Sequence, residues 1–307
     1  MTHSISNSHK VRNHYQQWPF PGKDFLSREG LLLLRYLNKW LITENPNERK
    51  PAKVIDVGCG TGHTTIALAK NFPGIQFLGI DITDKSLKVG RARAQKSNVK
   101  NITFQNVDIR KDFKISGQFQ VALCLGVLHH VQDLDRTFKH VVQLVQKDGY
   151  LVIWLYGQYG RLKHTLNQSF LKLLTKNMSK SDAFMAAQTF LEELGHRFAI
   201  DTGFYTPKGS GRQGINWLLE HPQWLADQMI PAFEQSVTMQ DILRLFSDHH
   251  LEFVKWFGVP CHLKSYTSLK ILLECFEKLS TPDQLMAIDY LYKPEYYFIA
   301  GKKSSHN

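Results

Sequence analysis

The sequence predicts an α/β protein built on a doubly wound, mostly parallel sheet, and three observations lead there. Short apolar runs alternate with helix-length amphipathic segments through the first half of the chain, the order that winds a parallel sheet. The first such run breaks into glycines at every second position, Gly58, Gly60 and Gly62. The next two end in carboxylates, Asp81 and Asp108, and open α/β sheets take their ligands at the carboxyl ends of strands.

In chain order, the first fifteen or so residues are polar and read as mobile. Tyr15 to Gly22 then clusters aromatics with Pro19 and Pro21, too proline-rich for a helix and too apolar for a free linker. Leu31, Leu34, Leu37 and Trp40 or Leu41 recur at helical spacing, a stripe that would cover one face of the sheet. Val54, Ile55 and Val57 are β-branched and suit a strand buried on both faces. Good helix formers follow the glycine turn from Thr64 to Lys70.

Phe77 to Asp81 reads as the second strand, Asp84 to Ser97 as a helix with a basic outer face, and Ile102 to Ile109 as the third strand. Phe119 to Leu125 makes the fourth and leads into Gly126-Val127-Leu128-His129-His130-Val131. Asp133 to Lys147 reads as a helix with Phe138, Val141, Val142 and Val145 inward, closed by Asp148-Gly149. Tyr150 to Tyr156 is the fifth strand.

Residues 158 to 248 exceed what a crossover needs, and long insertions in compact domains usually have a function. They hold two predicted helices, Leu162 to Thr175 and Ser181 to Leu194, a Gly-rich loop over Thr206 to Arg212, and a segment with Trp217 and Trp224. The expected role is a helical cap over an acceptor site. Leu251 to Phe257 and Tyr296 to Ala300 read as two closing strands, with helix between them over Ser268 to Leu291. This divides the chain into a lid segment and first helix (1–49), a cofactor-binding core (50–157), the cap (158–248) and a C-terminal completion of the sheet (249–307).

The turn after the first strand reads Asp56-x-Gly58-x-Gly60-x-Gly62. A dinucleotide fingerprint would need glycine where His63 stands, and the Gly-Lys-Ser/Thr of a phosphate loop is absent. The motif resembles the first motif of class I S-adenosylmethionine-dependent methyltransferases. Asp81, some 19 residues beyond Gly62, stands where a βαβ unit places an acid against a ribose, and its two oxygens can accept from both hydroxyls. The loop from Gly126 to Val131 resembles that of small-molecule methyltransferases, including those of quinone biosynthesis.

The resemblance covers roughly residues 50 to 157. It implies a seven-stranded Rossmann-like sheet with its last strand antiparallel, and S-adenosylmethionine as cofactor. It also implies a cofactor set of Asp56, Gly58, Cys59, Gly60, Gly62, Asp81, Ile82, Asp108, Ile109, Leu125 and Gly126. In the family the acid at the Asp108 position takes the adenine amino group.

The four cysteines show no paired spacing and read as reduced thiols in a cytoplasmic protein without a zinc site. No apolar run is long enough to span a bilayer, which argues against a membrane partner. The net charge of +11 leaves a nucleic-acid partner possible, but no aromatic-interleaved basic motif accompanies it, so a solvated basic surface is favoured.

Methyl transfer from a sulfonium chiefly requires alignment, and a base only where the acceptor must lose a proton. His129 and His130 are the candidates for that base, or else hold the loop by hydrogen bonds. Tyr156 ends the fifth strand and, with Tyr159, is placed to touch an acceptor. Tyr15 and Trp18 are candidate lid residues against the substrate, or else pack on outer helices. The expected activity is methyl transfer to a small molecule; methylation of nucleic acid or protein, and cofactor binding without turnover, are the alternatives.

Overall fold

The computed structural model describes residues 2–21, 28–41, 53–115, 118–199 and 211–304. Gly22 and residues 206–210 of the Gly-rich loop lie outside them. Seven strands form one sheet in the order β3-β2-β1-β4-β5-β7-β6: β1 Lys53–Val57, β2 Gln76–Asp81, β3 Ile102–Asn106, β4 Phe119–Leu125, β5 Val145–Tyr156, β6 Leu251–Trp256 and β7 Tyr296–Lys303. The pairs among β1 to β5 are parallel, and β7 runs antiparallel to both β5 and β6. The strand order reverses between β1 and β4, and that switch is where such sheets open a crevice for ligand.

Helices cover both faces. On one, α2 (Arg28–Lys39) and α3 (His63–Asn71) pack Leu37, Trp40 and Leu68 against Val54, Phe77 and Val152. On the other, α5 (Leu134–Gln143) and α10 (Met239–Asp248) bury Phe138, Val141, Ile242 and Phe246 against Ile55, Ala122 and Ile299. The basic helix α4 (Asp84–Lys96) lies beside β2 and β3. In the C-terminal part, α11 (Lys270–Glu277) and α12 (Thr281–Tyr292) precede β7.

The long segment after β5 forms α6 (Leu162–Leu174), α7 (Lys180–Thr189), a π-helical stretch Phe190–Ala199, α8 (Gly211–Glu220) and α9 (Pro222–Met229). These elements carry an apolar cluster of their own, in which Leu171, Phe190, Leu191, Ile215, Leu218 and Leu225 are buried.

Four readings of the sequence need correction. The polar N-terminus is helical, α1 spanning Thr2–Gln17, so Tyr15 to Gln17 belong to a helix. Its anchors are tertiary, His14 and Tyr15 packing on residues far along the chain, and no local pattern reveals them. The helix expected to run to Lys147 ends at Gln143, because Val145 already pairs with Phe119. Asp148, at φ 58, and Gly149 then sit within β5, where its register against β4 shifts. The third strand stops at Asn106, and the helix expected over Ser181 to Leu194 changes to the wider π form from Phe190.

Candidate active site

The three motif glycines adopt φ of 71°, 55° and 72°, a region that costs other residues strain. Space also excludes side chains. A Cβ on Gly58 would stand 2.2 Å from a methyl of Val127, and one on Gly60 would stand 2.4 Å from the Phe20 carbonyl oxygen. Gly62 is turned away, against Phe104 and Ile66, and supports the loop from beneath.

The loop is tied to β2. The amides of Gly58 and Cys59 both donate to the Ile80 carbonyl, and the Gly60 amide donates to Asp81 Oδ2 at 2.9 Å. Asp81 Oδ1 accepts from the amide and hydroxyl of Thr83 at 2.8 and 2.7 Å. Burial nevertheless raises the Asp81 pKa above its ordinary value, outweighing the bonds from Thr83 and Gly60. Asp56, 3% exposed, takes a hydrogen bond from the Thr65 hydroxyl. Burial raises it to about 7, with the Thr65 bond opposing and the charge of Asp81 adding. Cys59 is likewise an un-ionised thiol, pushed up by burial.

These groups open on a cavity of about 250 Å³ at the carboxyl ends of β1, β2 and β4. Gly58, Cys59, Gly60, Asp81, Ile82, Asp108 and Ile109 line one side, with Leu125 and Gly126 at the foot of β4. His63 and Thr64, in the first turn of α3, face it too, and such a turn directs amides at an anionic group. Asp108 holds Arg110 through both oxygens, at 2.8 and 2.9 Å. Burial alone would raise Asp108, but those bonds and the guanidinium charge hold it below the usual carboxylate range.

The opposite side is aromatic. Tyr15, Phe20, His129, His130, Trp154, Tyr156 and Trp224 line it, together with Asp227 of α9. His130 Nδ1 is 2.9 Å from the Phe233 carbonyl. A carbonyl only accepts, so Nδ1 carries a proton, and in the neutral tautomer the lone pair lies on Nε2. That Nε2 stands 3.9 Å from Asp227 Oδ1, which accepts from the Tyr15 hydroxyl at 2.9 Å. His129 is 1% exposed, its ring 4.1 Å from that of Tyr156, and its Nδ1 has no hydrogen-bond partner among the described residues. Burial, then the charges of His130 and Arg161, holds its pKa well below the ordinary value. It is a neutral imidazole with a polar atom still to be satisfied.

Behind this wall lies a buried polar chain. The Gln228 amide donates to the Tyr156 hydroxyl at 2.8 Å and to Asp227 Oδ2 at 2.9 Å. Arg161 donates to Gln228 at 3.3 Å and to Glu234 at 2.9 Å, with its guanidinium 3.5 Å over the Tyr156 ring. Burial holds the Tyr156 phenol protonated well above its ordinary range, with the Arg161 charge only opposing this. That removes Tyr156 as a proton acceptor near neutrality.

Two expected substrate contacts lie elsewhere. Trp18 stacks on Phe184 of α7 at 5.8 Å, and Tyr159 packs on Tyr290 at 5.7 Å; neither lines the cavity. Asp227, Gln228, Arg161, Glu234 and Trp224 were not singled out as site residues from the sequence. Trp224, Asp227 and Gln228 come from α9, Arg161 from the start of α6 and Glu234 from the loop after α9, and only the aromatic richness around Trp224 pointed toward them.

The methyltransferase domain family matches residues 48–203, half of the chain. The chain belongs to the class I S-adenosylmethionine-dependent methyltransferases. Among curated relatives, this methyltransferase is 34% identical to an uncharacterized protein of Synechococcus sp. over 123 residues, 40% of this chain and 30% of that one. It is 35% identical to a ubiquinone biosynthesis O-methyltransferase of Acinetobacter baumannii over 100 residues, 32% of this chain and 41% of that protein. The methyltransferase thus spans well under half the length of these curated relatives. In fold it is similar to PKMT2 of Rickettsia typhi in complex with AdoHcy, with a TM-score of 0.63 and 15% identity over 83% of this chain and 49% of that one.

The family's cofactor is S-adenosylmethionine, and the cavity suits it. Asp56 and Asp81 are buried carboxylates whose ionised forms burial disfavours. A ligand carrying ammonium and sulfonium charges is the kind that would stabilise both.

Proposed function

We propose that this methyltransferase transfers the methyl group of S-adenosylmethionine to a small organic acceptor seated between the glycine loop and the aromatic wall. The observation that carries this is the division of one cavity into two unlike halves. One half is backbone and carboxylate; the other is aromatic with two histidines and Asp227. Pockets for organic ligands have that second character, mostly apolar with a few placed polar groups.

In this reading Gly58, Gly60, Asp81, Ile82, Asp108 and Ile109 hold the cofactor. When bound, it supplies an electrophilic methyl on a sulfonium. Asp81 accepts from the ribose, and Ile82 and Ile109 wall the base. Asp108, which holds Arg110, would take the adenine amino group. His130 takes a proton on Nε2 where the acceptor is an alcohol or phenol, and Asp227 stabilises the imidazolium so formed. His129 Nδ1, already neutral, accepts from or orients the acceptor. Tyr156 shapes the wall without titrating.

Incubation with methyl-labelled cofactor and metabolite extract, followed by identification of the labelled product, tests the proposal; labelling only of RNA or protein would overturn the acceptor class. Asp81→Ala is expected to weaken S-adenosylhomocysteine roughly 5- to 150-fold, because two ribose hydroxyls lose their acceptor and the Gly60 amide its partner. Equal affinity for both proteins by calorimetry would rule the ribose role out. A second reading, methylation of nucleic acid, rests on the charge: 85–114 holds nine Lys or Arg against Asp108 and Asp112. It requires sequence-selective binding that persists at physiological salt.

A further inference from the structure

Helix α6 is apolar on a buried side and again on an exposed one. Leu171 and His164 are buried toward the other cap helices, whereas Leu162, Leu166, Phe170, Leu173 and Leu174 are 57, 61, 44, 75 and 56% exposed. At 100° per residue these five fall within one third of the helix circumference, centred roughly 130° from the buried side. Met178 and Met185, in the segments that follow, are also exposed, at 48 and 54%. Single exposed leucines need no explanation, but a contiguous stripe marks a partner.

Charge selects the partner. Lys163, Lys172, Lys176 and Lys180 are all exposed, and no acid occurs from 161 to 180. A symmetric second copy would bring these lysines against one another, since an isologous contact pairs a patch with itself. A second exposed apolar set, Leu269, Ile271 and Leu272 around α11, is different: Lys270 there pairs with Glu274, and Glu277 follows. Of these two surfaces, the α6 one carries exposed apolar side chains and lysines with no acid between 161 and 180 to offset them.

We propose that α6 docks this protein on an anionic bilayer surface, with Leu162, Leu166, Phe170 and Leu173 entering the headgroup–acyl boundary and the four lysines meeting anionic lipid. Such binding is peripheral and compatible with the absence, among the described residues, of any helix fit to cross a membrane. Lysine stems lie along apolar surface while their ammonium groups reach the phosphates.

The test is sedimentation with vesicles of phosphatidylcholine and with vesicles containing one quarter phosphatidylglycerol. The protein should partition onto the anionic vesicles and much less onto the neutral ones. Lys163→Gln, within the stripe, should lower the partition roughly fivefold, and Lys172→Gln, roughly 140° from the stripe's centre, by less. Leu166→Asp with Leu173→Asp should abolish it, while S-adenosylhomocysteine affinity, read by calorimetry, stays at the parent value. Ile271→Asp should leave partition unchanged and serves as the matched control. Equal partition of parent protein and double variant would overturn the proposal. So would failure of the parent to bind anionic vesicles, and a concentration-dependent dimer lost in the double variant would then assign the stripe to a second copy.

Discussion

Arg161→Met should destabilise the protein by about 3–5 kcal/mol, because it leaves a buried carboxylate without its cation. Arg161 is fully buried, and Glu234, 5% exposed at its side chain, receives its 2.9 Å bond. The second Glu234 oxygen has no partner among the described residues. Little water is available to solvate the charge once the guanidinium is gone. Removing both charges as Arg161→Met with Glu234→Met should recover a large part of the loss, since the solvation cost of the pair disappears with it. Urea unfolding of the three proteins measures this. A single variant within 1 kcal/mol of the parent would mean that the pair is hydrated and contributes only as a surface bridge does.

The second large effect is a pH dependence at Asp56. Its pKa is raised from 3.8 to about 7 in the folded protein. A carboxyl raised on folding holds its proton in the native state after the unfolded chain has lost it. Stability from this group is therefore full below about pH 4 and falls as pH rises to about 7. It stays lower above that, by roughly 4 kcal/mol for a shift of this size. Asp56→Asn should remove the slope, so its advantage over the parent grows between pH 5 and 8 in denaturant unfolding. Cofactor affinity should run the other way. A cationic ligand favours the ionised carboxylate, so binding to the parent should tighten as pH approaches 7 and then level, while the Asn variant stays flat. Parallel pH profiles for the two proteins would show that Asp56 is not the group responsible.

What the sequence made legible follows from the range of the forces involved. The glycine turn, the strand end carrying Asp81, and the position of the His129-His130 loop are set by backbone sterics and by alternation within a few residues. They could be read directly. The bond from Gly60 to Asp81 was not readable, nor was the commitment of Asp108 to Arg110, because each depends on where a side chain turns after folding. The aromatic wall was hidden for a further reason. Tyr15 and Asp227 touch across 212 positions of sequence, and residues at that separation leave no periodic trace. The N-terminal helix shows the converse error: polar composition read as disorder, where one buried histidine and one tyrosine hold the segment in place.

That same segment sets how the cavity can be opened. The Phe20 carbonyl accepts the Thr61 amide, the Pro21 carbonyl accepts the Thr61 hydroxyl, and the Phe20 ring lies 4.6 Å from that of Trp224. Five residues earlier, Tyr15 is bonded to Asp227. One strap is thus fastened at the glycine loop and at the aromatic wall, by contacts five residues apart in sequence. Lifting Phe20 from the glycine turn strains the Tyr15 bond, and drawing Tyr15 away uncovers the glycine turn. From this side, water reaches both halves of the cavity together or neither.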